Sequence, residues 1–353
     1  MKCIFLNTYY LAFLDHHYHQ YPNLNQESYQ SQLSSLQSTC FGESNFYSKG
    51  LVDAGWESKD FIVNCRPLQE AWANENNIKP NPIDIIIEQV KKENADVIYI
   101  HDLSIAYVQL VERLRQHCRF LVGQIACPLS SFTYFQGFDL IISSFPHYVK
   151  KLNILGVKCI YQPLAFEPSI LNRCKTYVRD IPLSFVGGIS SAHQAGTLLL
   201  ETIAAQTDLS IYGYGSEFIR QESYIAKCHK GSVWGTDMFD VYLRSKVTIN
   251  RHIDVAENYA NNMRLFESTG CGCLLITDYK DNLKDLFIID KEVVAYRSID
   301  ECLDKIKYYI KNPNRALEIA RAGQQRTLSS HTYTQRMTYT AYILNYFINL
   351  KYK

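Results

Sequence analysis

Residues 246–278, KVTINRHIDVAENYANNMRLFESTGCGCLLITD, predict a β-strand, a polar loop, a short helix and a second β-strand. The segment KVTIN alternates and is rich in β-branched residues, which is typical of a short buried strand. Asn261 and Asn262 have side chains that commonly cap a helix, and the helical segment MRLFEST follows them. Gly270 and Gly272 predict the end of that helix, and CLLIT predicts the next strand.

This order of elements brings a helix start, with its unpaired N–H groups, to the C-terminal end of a strand, where an anion can bind. Arg251 and Arg264 lie on either side, and a guanidinium group can hold a phosphate with two hydrogen bonds. Glu267 follows Asn262 at roughly 7.5 Å along a helix axis, at ~1.5 Å per residue. A carboxylate there can accept the hydroxyl protons of a ribose attached to a bound diphosphate. The alternative is an ordinary strand–helix unit with a solvated Arg–Glu face.

Length and composition restrict the class of protein. A chain of 353 residues predicts two domains, and a net charge of +1 argues against general nucleic-acid binding. The eleven cysteines are spread without a CxxC pair, which favours reduced core thiols in a cytosolic protein over disulfides or a zinc site. Asn7 and Thr8 interrupt the apolar N-terminus, so it predicts a first strand and not a secretion signal. No apolar run approaches the ~18 residues of a membrane span.

Strands and helices alternate through the first half of the chain, which predicts a parallel sheet flanked by helices. The predicted strands are residues 2–6, 58–65, 95–102, 119–128, 138–144 and 157–166. Asn7 and Tyr9 lie in the turn after the first strand, at the edge where an open α/β sheet binds its ligand. We therefore expect them on the acceptor side of a ligand site.

Histidines also lie near the ends of predicted strands. His101 and Asp102 end the third strand, where a histidine can act as a general base or anchor a polar substrate. The alternative is a surface histidine followed by an aspartate that caps a helix. His147, after another strand, is a candidate on the acceptor side or simply part of the first helical turn. The histidines at 16, 17 and 19 predict a solvated helix face in preference to a metal site.

The second half predicts another sheet. We expect a first domain over residues 1–168, a linker over 169–181, a second domain over 182–330 and a C-terminal helix over 331–353. Gly187 and Gly188 follow a strand and would allow close approach of a ligand or backbone. Tyr214 and Gly215 follow the next strand, without the third glycine of a dinucleotide fingerprint. The aromatic C-terminal helix is expected to pack on the fold; the alternative is peripheral contact with a membrane.

Two Rossmann-like domains that face a central cleft and end in long helices describe the GT-B architecture. The segment NNMRLFESTGCGCLLITD, with KVTIN before it and DKEVVAY after it, resembles the C-terminal domain of CgeB-like glycosyltransferases. The segments GQIACPL and FDLIISSFPHYVKKLNILGVKCIYQPLAFEP resemble the close of the acceptor domain in these enzymes and in the wider GT4-like group.

The resemblance implies transfer of a sugar from a nucleotide-sugar donor to an acceptor, a bacterial glycan in this family. It implies that the second domain binds the donor, with Glu267 on the ribose and Asn262, Met263 and Arg264 near the diphosphate. The first domain would present the acceptor. GT4-like enzymes often carry two glutamates eight positions apart, whereas Glu257 and Glu267 are ten apart. The residue beside the sugar therefore stays open.

The sequence contains no Asp-x-Asp motif, so we expect no metal cofactor. The charge on the leaving diphosphate would then be stabilised by the helix start and the arginines. The GT4-like resemblance favours retention at the anomeric carbon, whereas a base at His101 would favour inversion. A nucleotide-sugar epimerase of the same fold and a non-catalytic binding or scaffold protein are the alternatives. The base, the sugar, the acceptor and the oligomeric state stay open.

Overall fold

The computed structural model describes residues 1–79, 81–126, 129, 134–174, 178–189 and 194–352. The chain divides into two compact units. Residues 1–163 and 333–353 form the first unit, and residues 164–332 form the second. Each unit contains one sheet in which all the paired strands run parallel, flanked by helices. The predicted α/β class with two Rossmann-like sheets is confirmed.

The first unit contains a six-stranded sheet in the order β2-β1-β3-β4-β5-β6. Its strands are β1 Lys2–Asn7, β2 Glu57–Ile62, β3 Val97–Ile100, β4 Phe120–Ile125, β5 Leu140–Ser143 and β6 Cys159–Tyr161. The strands β3, β4 and β5 are buried along their whole length, which explains their nearly continuous apolar sequences. The strand order reverses between β1 and β3. Ligands of open α/β sheets bind beyond the strand ends at such a reversal.

The second unit contains a five-stranded sheet in the order β11-β10-β9-β7-β8. Its strands are β7 Ile181–Val186, β8 Leu209–Tyr212, β9 Ser245–Asn250, β10 Leu274–Asp278 and β11 Val294–Tyr296. The chain runs from β7 outward to β8 and then returns to β9 on the other side of β7. The order therefore reverses between β7 and β9, and the stretch identified in the sequence, residues 246–278, forms β9, a helix and β10.

Sixteen helices are described outside the short 3₁₀ turns. In the first half they are α1 Leu11–Gln20, α2 Tyr29–Ser38, α3 Phe46–Asp53, α4 Arg66–Glu75, α5 Pro82–Glu93, α6 Val108–Arg115 and α7 Pro146–Ile154. In the second half they are α8 Ile170–Arg173, α9 Gln194–Ala204, α10 Tyr224–Cys228, α11 Thr236–Arg244, α12 Arg264–Gly270, α13 Leu283–Leu286, α14 Ile299–Lys311, α15 Pro313–Ser330 and α16 Tyr333–Lys351. Across the described residues, none of these helices is both long and apolar enough to cross a membrane.

Two sequence predictions need correction. The helix α4 was not predicted, because its buried side chains, Leu68, Trp72 and Ala73, form only a narrow apolar stripe in a polar segment. The segment SIAYVQLVERLRQHC, residues 104–118, predicts one continuous helix, but a 3₁₀ turn covers Leu103–Ile105 and α6 begins only at Val108. The last residues of the predicted strand 119–128 lie outside the described residues.

The C-terminal helix packs against α3 within the first unit, as predicted. The rings of Phe46 and Tyr47 in α3 lie 5.3 Å from the ring of Tyr333 in α16. At the closest point Gly50 lies against Met337, and a Cβ atom on Gly50 would come 2.7 Å from the Met337 Cβ. The absence of a side chain at Gly50 therefore allows the two helices to approach this closely.

We predict that Gly50→Ala destabilises the protein, although Ala is favoured over Gly inside a helix by about 1 kcal/mol. Overlap with Met337 has the larger effect, since overpacking a close contact costs about 1–3 kcal/mol. The thermal midpoint should fall. Val52→Ala, at an exposed position of the same helix, serves as the control and should leave the midpoint nearly unchanged. An unchanged or higher midpoint for Gly50→Ala would contradict this packing.

Candidate functional site

The loop that follows β7 makes room for two side chains from elsewhere in the second unit. The guanidinium group of Arg264 lies against Gly187, and the ring of Tyr214 lies against Gly188. A Cβ atom at either glycine would overlap its neighbour. The two glycines, predicted as points of close approach, therefore accommodate Arg264 and Tyr214.

The loop after β8 runs beside the loop after β7. The amide of Gly187 donates to the carbonyl of Tyr212 at 2.8 Å, and the amide of Ile189 donates to the carbonyl of Tyr214 at 2.9 Å. Gly215 has a positive φ of 93° and lies so close to the carbonyl of Ile189 that no Cβ atom would fit. Glycine at position 215 thus allows the loops after β7 and β8 to lie this close together.

Asn250, at the end of β9, organises the side chains around it. It is buried, and its Oδ1 accepts hydrogen bonds from Asn262 Nδ2 at 2.8 Å and Arg264 Nη1 at 3.1 Å. Its own Nδ2 donates to the hydroxyl of Thr277 at 2.9 Å. The guanidinium of Arg264 also lies 5.3 Å above the ring of Phe185. Asn250 was not predicted as a site residue, although a polar residue at the end of a buried strand is a usable signal.

The helix α12 begins at Arg264, two residues after Asn262. The Oδ1 of Asn262 accepts the amide of Leu265 at 3.2 Å, which is a capping contact. Met263 contributes through its backbone, because its carbonyl accepts the amide of Glu267 at 2.9 Å. The predicted helix after the asparagine pair is therefore confirmed, and its start positions both Arg264 and Glu267.

Glu267 is a buried acidic residue, with 6% of its surface exposed. Burial raises the pKa of its carboxyl group to about 7, against the lowering effect of the nearby Arg264 charge. Among the described residues, no side chain donates a hydrogen bond to this carboxylate. A buried carboxylate without donors is unfavourable when ionised, so it is suited to accept hydroxyl protons from a ligand.

A cavity of about 40 Å³ has Gly188, Arg251, His252 and Arg264 in its wall, together with apolar side chains such as Leu200. The side chain of His252 is fully buried, and its Nδ1 lies 2.7 Å from Asp278 Oδ1. Within the described part of the chain, His252 Nε2 has no hydrogen-bond partner. Two guanidinium groups and an imidazole in the wall of one cavity are groups that can hold an anion. His252 was not predicted, and its position after β9 became informative only with the fold.

Tyr214 lies next to Gly188 and stacks on Trp234, with ring centroids 5.4 Å apart and an interplanar angle of 12°. The ring of Tyr214 is partly exposed. The predicted donor-side residues of the second unit, from the two loops and the segment around Arg264, are thus gathered at the strand ends where the sheet order reverses.

In the first unit, His101 is not the surface histidine that the alternative described. Its side chain is 7% exposed, and its Nδ1 lies 2.9 Å from Oε2 of Glu43. The rings of Phe5, Tyr47 and Tyr99 surround it at centroid distances of 4.3–5.2 Å. Its Nε2 is buried and has no hydrogen-bond partner among the described residues. Glu43, which fixes the imidazole, was not predicted because it is distant in sequence.

Asp102 caps the 3₁₀ turn that follows β3. Its carboxylate accepts the amide of Ser104 at 2.8 Å and the hydroxyl of Thr8 at 2.6 Å. This is the capping role that the alternative described. The contact with Thr8 ties the end of β3 to the end of β1, at the reversal of the sheet.

The predicted acceptor-side residues have different surroundings. The Nδ2 of Asn7 donates to Asp60 at 3.1 Å, and burial raises the pKa of Asp60 to about 6 although its hydrogen bonds lower it. Tyr9 is buried against Phe13 and Phe41. The site that sequence analysis assigned to them remains a prediction. His147 lies in the first turn of α7, next to the rings of Phe145 and Tyr148.

Residues 194–341 match the family described as glycosyl transferase-like, which is less than half of the chain. No curated protein matches the sequence. Among solved structures, sucrose-phosphate synthase from Thermosynechococcus elongatus is similar with a TM-score of 0.64 and 10% identity, over 99% of this chain and 100% of that one.

Anabaena HepE in complex with UDP-glucose is similar with a TM-score of 0.62 and 12% identity, over 98% of this chain and 99% of that one. A glycosyltransferase from Rickettsia africae has a TM-score of 0.61 and 11% identity, over 98% of each chain. The chain has the GT-B fold. At these identities the similarity shows the fold alone.

The pKa of Glu267 predicts how stability of this GT-B protein depends on pH. The folded-state pKa of about 7 lies above the ordinary value of 4.5 for a glutamate side chain, so burial of the neutral carboxyl stabilises the fold below pH 4.5. That stabilisation is lost as pH rises through 7. The free energy of unfolding should decrease by about 3 kcal/mol, because each pKa unit corresponds to about 1.36 kcal/mol. Glu267→Gln should therefore raise the thermal midpoint at pH 8 more than at pH 4.5.

The control is Glu318→Gln, which makes the same substitution at an exposed ion pair with Arg315 on α15. Its midpoint should follow the parent protein at every pH. If Glu267→Gln also followed the parent across this range, the buried carboxyl group would not have the raised pKa.

Proposed function

We propose that this protein transfers a sugar from a nucleotide-sugar donor to a hydroxyl acceptor. The observation that carries the proposal is the environment of Glu267. Its carboxylate is buried and lacks hydrogen-bond donors among the described residues, and the nearby charge of Arg264 lowers its pKa. This pair combines an acceptor for ribose hydroxyls with a cation for a diphosphate, which are the two polar parts shared by nucleotide-sugar donors.

The second unit holds the donor. Arg251, His252 and Arg264 bind the diphosphate at the cavity that they line. Gly187 and Gly188 leave room at the strand end for the guanidinium group of Arg264 and the ring of Tyr214, which we assign to the donor site. The match of residues 194–341 to the glycosyl transferase-like family supports this assignment, and so does the GT-B fold that the chain shares with HepE in its complex with UDP-glucose.

In the transfer step, the bond between the anomeric carbon and the phosphate oxygen breaks, and its electron pair passes to the diphosphate. The acceptor oxygen forms the new bond and loses its proton. The guanidinium groups of Arg251 and Arg264 stabilise the negative charge that develops, so the step needs no metal ion. The proposed reaction is therefore independent of a metal ion.

The stereochemical outcome depends on the face of the anomeric carbon that the acceptor attacks, and a base at His101 would favour inversion. Glu43 accepts from Nδ1 of His101, so Nε2 is the ring atom that is left to face an acceptor hydroxyl. Since Nε2 is buried, the leaving diphosphate is the better acceptor, and we propose transfer with retention. A CgeB-like enzyme that acts in the cytoplasm on a bacterial glycan is the finer form of this proposal, and it rests on the sequence resemblance.

The donor site is tested by a thermal-shift screen of UDP-, GDP-, ADP-, CMP- and dTDP-sugars with EDTA present. We expect one nucleotide to raise the midpoint, since ligand at ~100 times its dissociation constant adds about 2.7 kcal/mol of stability. Arg264→Gln should abolish the shift, whereas Glu318→Gln on α15 should retain it. No shift with any nucleotide would falsify the donor-site assignment.

A sugar label then distinguishes the reactions. Transfer moves the label to an added acceptor, whereas an epimerase leaves it on the nucleotide or releases free sugar. A scaffold protein binds the nucleotide without turnover. Only transfer to an acceptor is consistent with the proposal.

Donor affinity should also depend on pH. Ribose hydroxyls donate to the ionised form of Glu267, so binding lowers the pKa of its carboxyl group from about 7. The dissociation constant should therefore decrease as pH rises from 5.5 to 8, by up to about tenfold per pH unit below 7. Titration calorimetry measures this dependence. Glu267→Gln should remove it, and an unchanged dependence in that variant would assign the proton to another group.

A further inference from the structure

The helix α16 carries a stripe of exposed large side chains along one face. Tyr339, Tyr342, Tyr346 and Leu350 are each between 47% and 66% exposed. At about 100° per residue, these four positions lie within about 80° of one another around the helix axis. The stripe is about 16 Å long, at ~1.5 Å per residue, and it belongs to a single helix. We name it the tyrosine face of α16.

The tyrosine face is opposite the side of α16 that packs on the first unit. Met337 lies against Gly50 of α3, and Leu344 and Ile348 are buried on the same side of the helix. The C-terminal end of α16 is held by Lys351, whose ammonium group lies 2.7 Å from the carboxylate of Asp139. The tyrosine face is therefore presented to solvent on a helix that is fixed from behind.

The tyrosine face has the composition of a protein interface. No charged residue occurs in positions 337–350, although 20% of the whole chain is charged. The exposed neighbours of the stripe, Thr338, Asn345 and Asn349, are polar but neutral. A solvated helix face usually carries Lys and Glu, whereas the cores of protein interfaces are depleted in charge and enriched in tyrosine.

The order of side chains along the stripe is self-complementary. If two copies of α16 lie antiparallel and are centred on Leu344, Tyr342 of each copy is level with Tyr346 of the other. Tyr339 then lies within one residue, or about 1.5 Å along the axis, of Leu350 in the other copy. Aromatic rings therefore meet aromatic or aliphatic side chains along the whole stripe. Because the stripe is neutral, this two-fold pairing brings no like charges of the stripe together.

The exposed area of the stripe limits how strong such an association can be. The exposed fractions correspond to roughly 100 Å² on each large side chain, taking roughly 200 Å² for a whole one. With the polar neighbours, a pair of copies would bury on the order of 1,000 Å² in total, which is the low end for a specific interface. We therefore expect a weak dimer that depends on protein concentration.

We propose that two copies of this chain associate through the tyrosine face of α16, antiparallel about a two-fold axis near Leu344. A membrane surface fits the face less well, since helices that lie on membranes carry Lys or Arg beside the apolar side chains, and residues 337–350 contain neither. The inference concerns assembly and goes beyond the proposed function. The tyrosine face shares no residue with the proposed donor site, so the two proposals fail independently.

The first test is sedimentation velocity of the whole protein over a series of concentrations that spans the micromolar range. We expect a shift from monomer to dimer as concentration rises. The variant Tyr342→Glu/Tyr346→Glu sets like charges opposite one another in the pair, so its dissociation constant should be at least about 100-fold higher. Both positions are exposed, so the thermal midpoint of the monomer should stay close to that of the parent.

A charge-reversal pair tests the antiparallel arrangement directly. The variant Tyr342→Lys/Tyr346→Lys should be as monomeric as the glutamate variant, because it also repels itself. An equimolar mixture of the two variants should form a one-to-one complex, since each lysine then lies level with a glutamate. If the mixture stayed monomeric, the two-fold pairing through these tyrosines would be wrong.

The matched control is Tyr224→Glu/Tyr308→Glu, which makes the same substitution at two exposed tyrosines on α10 and α14 of the second unit. It should dimerise like the parent. A parent protein that stays monomeric at every concentration would overturn the proposal. So would a dimer that the glutamate variant at 342 and 346 leaves intact. Binding of a monomeric parent to phosphatidylglycerol vesicles, lost in that variant, would assign the face to a membrane.

Discussion

The ligand end of the second unit depends on where the guanidinium group of Arg264 is held. Its charge lies over the Phe185 ring and against Gly187, and Asn250 accepts one of its N–H groups. A larger residue at Gly187 would displace it. Burial raises the pKa of Glu267, and the Arg264 charge opposes that increase. The position of the Arg264 guanidinium group thus explains why residue 187 is a glycine and why the buried Asn250 is polar. It also accounts for part of the pKa of Glu267.

Both units use the same feature of the parallel sheet. In each, polar side chains collect at the strand ends where the strand order reverses, because neighbouring strands diverge into loops there and leave space. The second unit fills this space with Asn250, Arg264 and His252. The first unit fills it with His101, Glu43 and residues around them. In each unit a histidine is oriented by a carboxylate and keeps a buried Nε2 atom.

The C-terminal helix packs on the first unit with one face and exposes the other. Its buried face lies on α3 through Gly50 and Met337, which leaves the opposite face to solvent. The helix has no charged residue between Arg336 and Lys351. Sequence analysis treated packing on the fold and contact with a membrane as alternatives. In the structure one face of the helix packs on α3, whereas contact with a membrane stays a prediction.

The sequence by itself determined the alternating α/β class and most elements of the two sheets, because buried strands and amphipathic helices leave local periodic patterns. It also indicated Gly187, Arg264 and Glu267, since they lie at predicted strand and helix ends. Only the tertiary structure identified Asn250, His252 and Glu43. Their roles arise from contacts between residues that are distant in the chain, such as Glu43 with His101, and side-chain burial that sets a pKa has no local pattern.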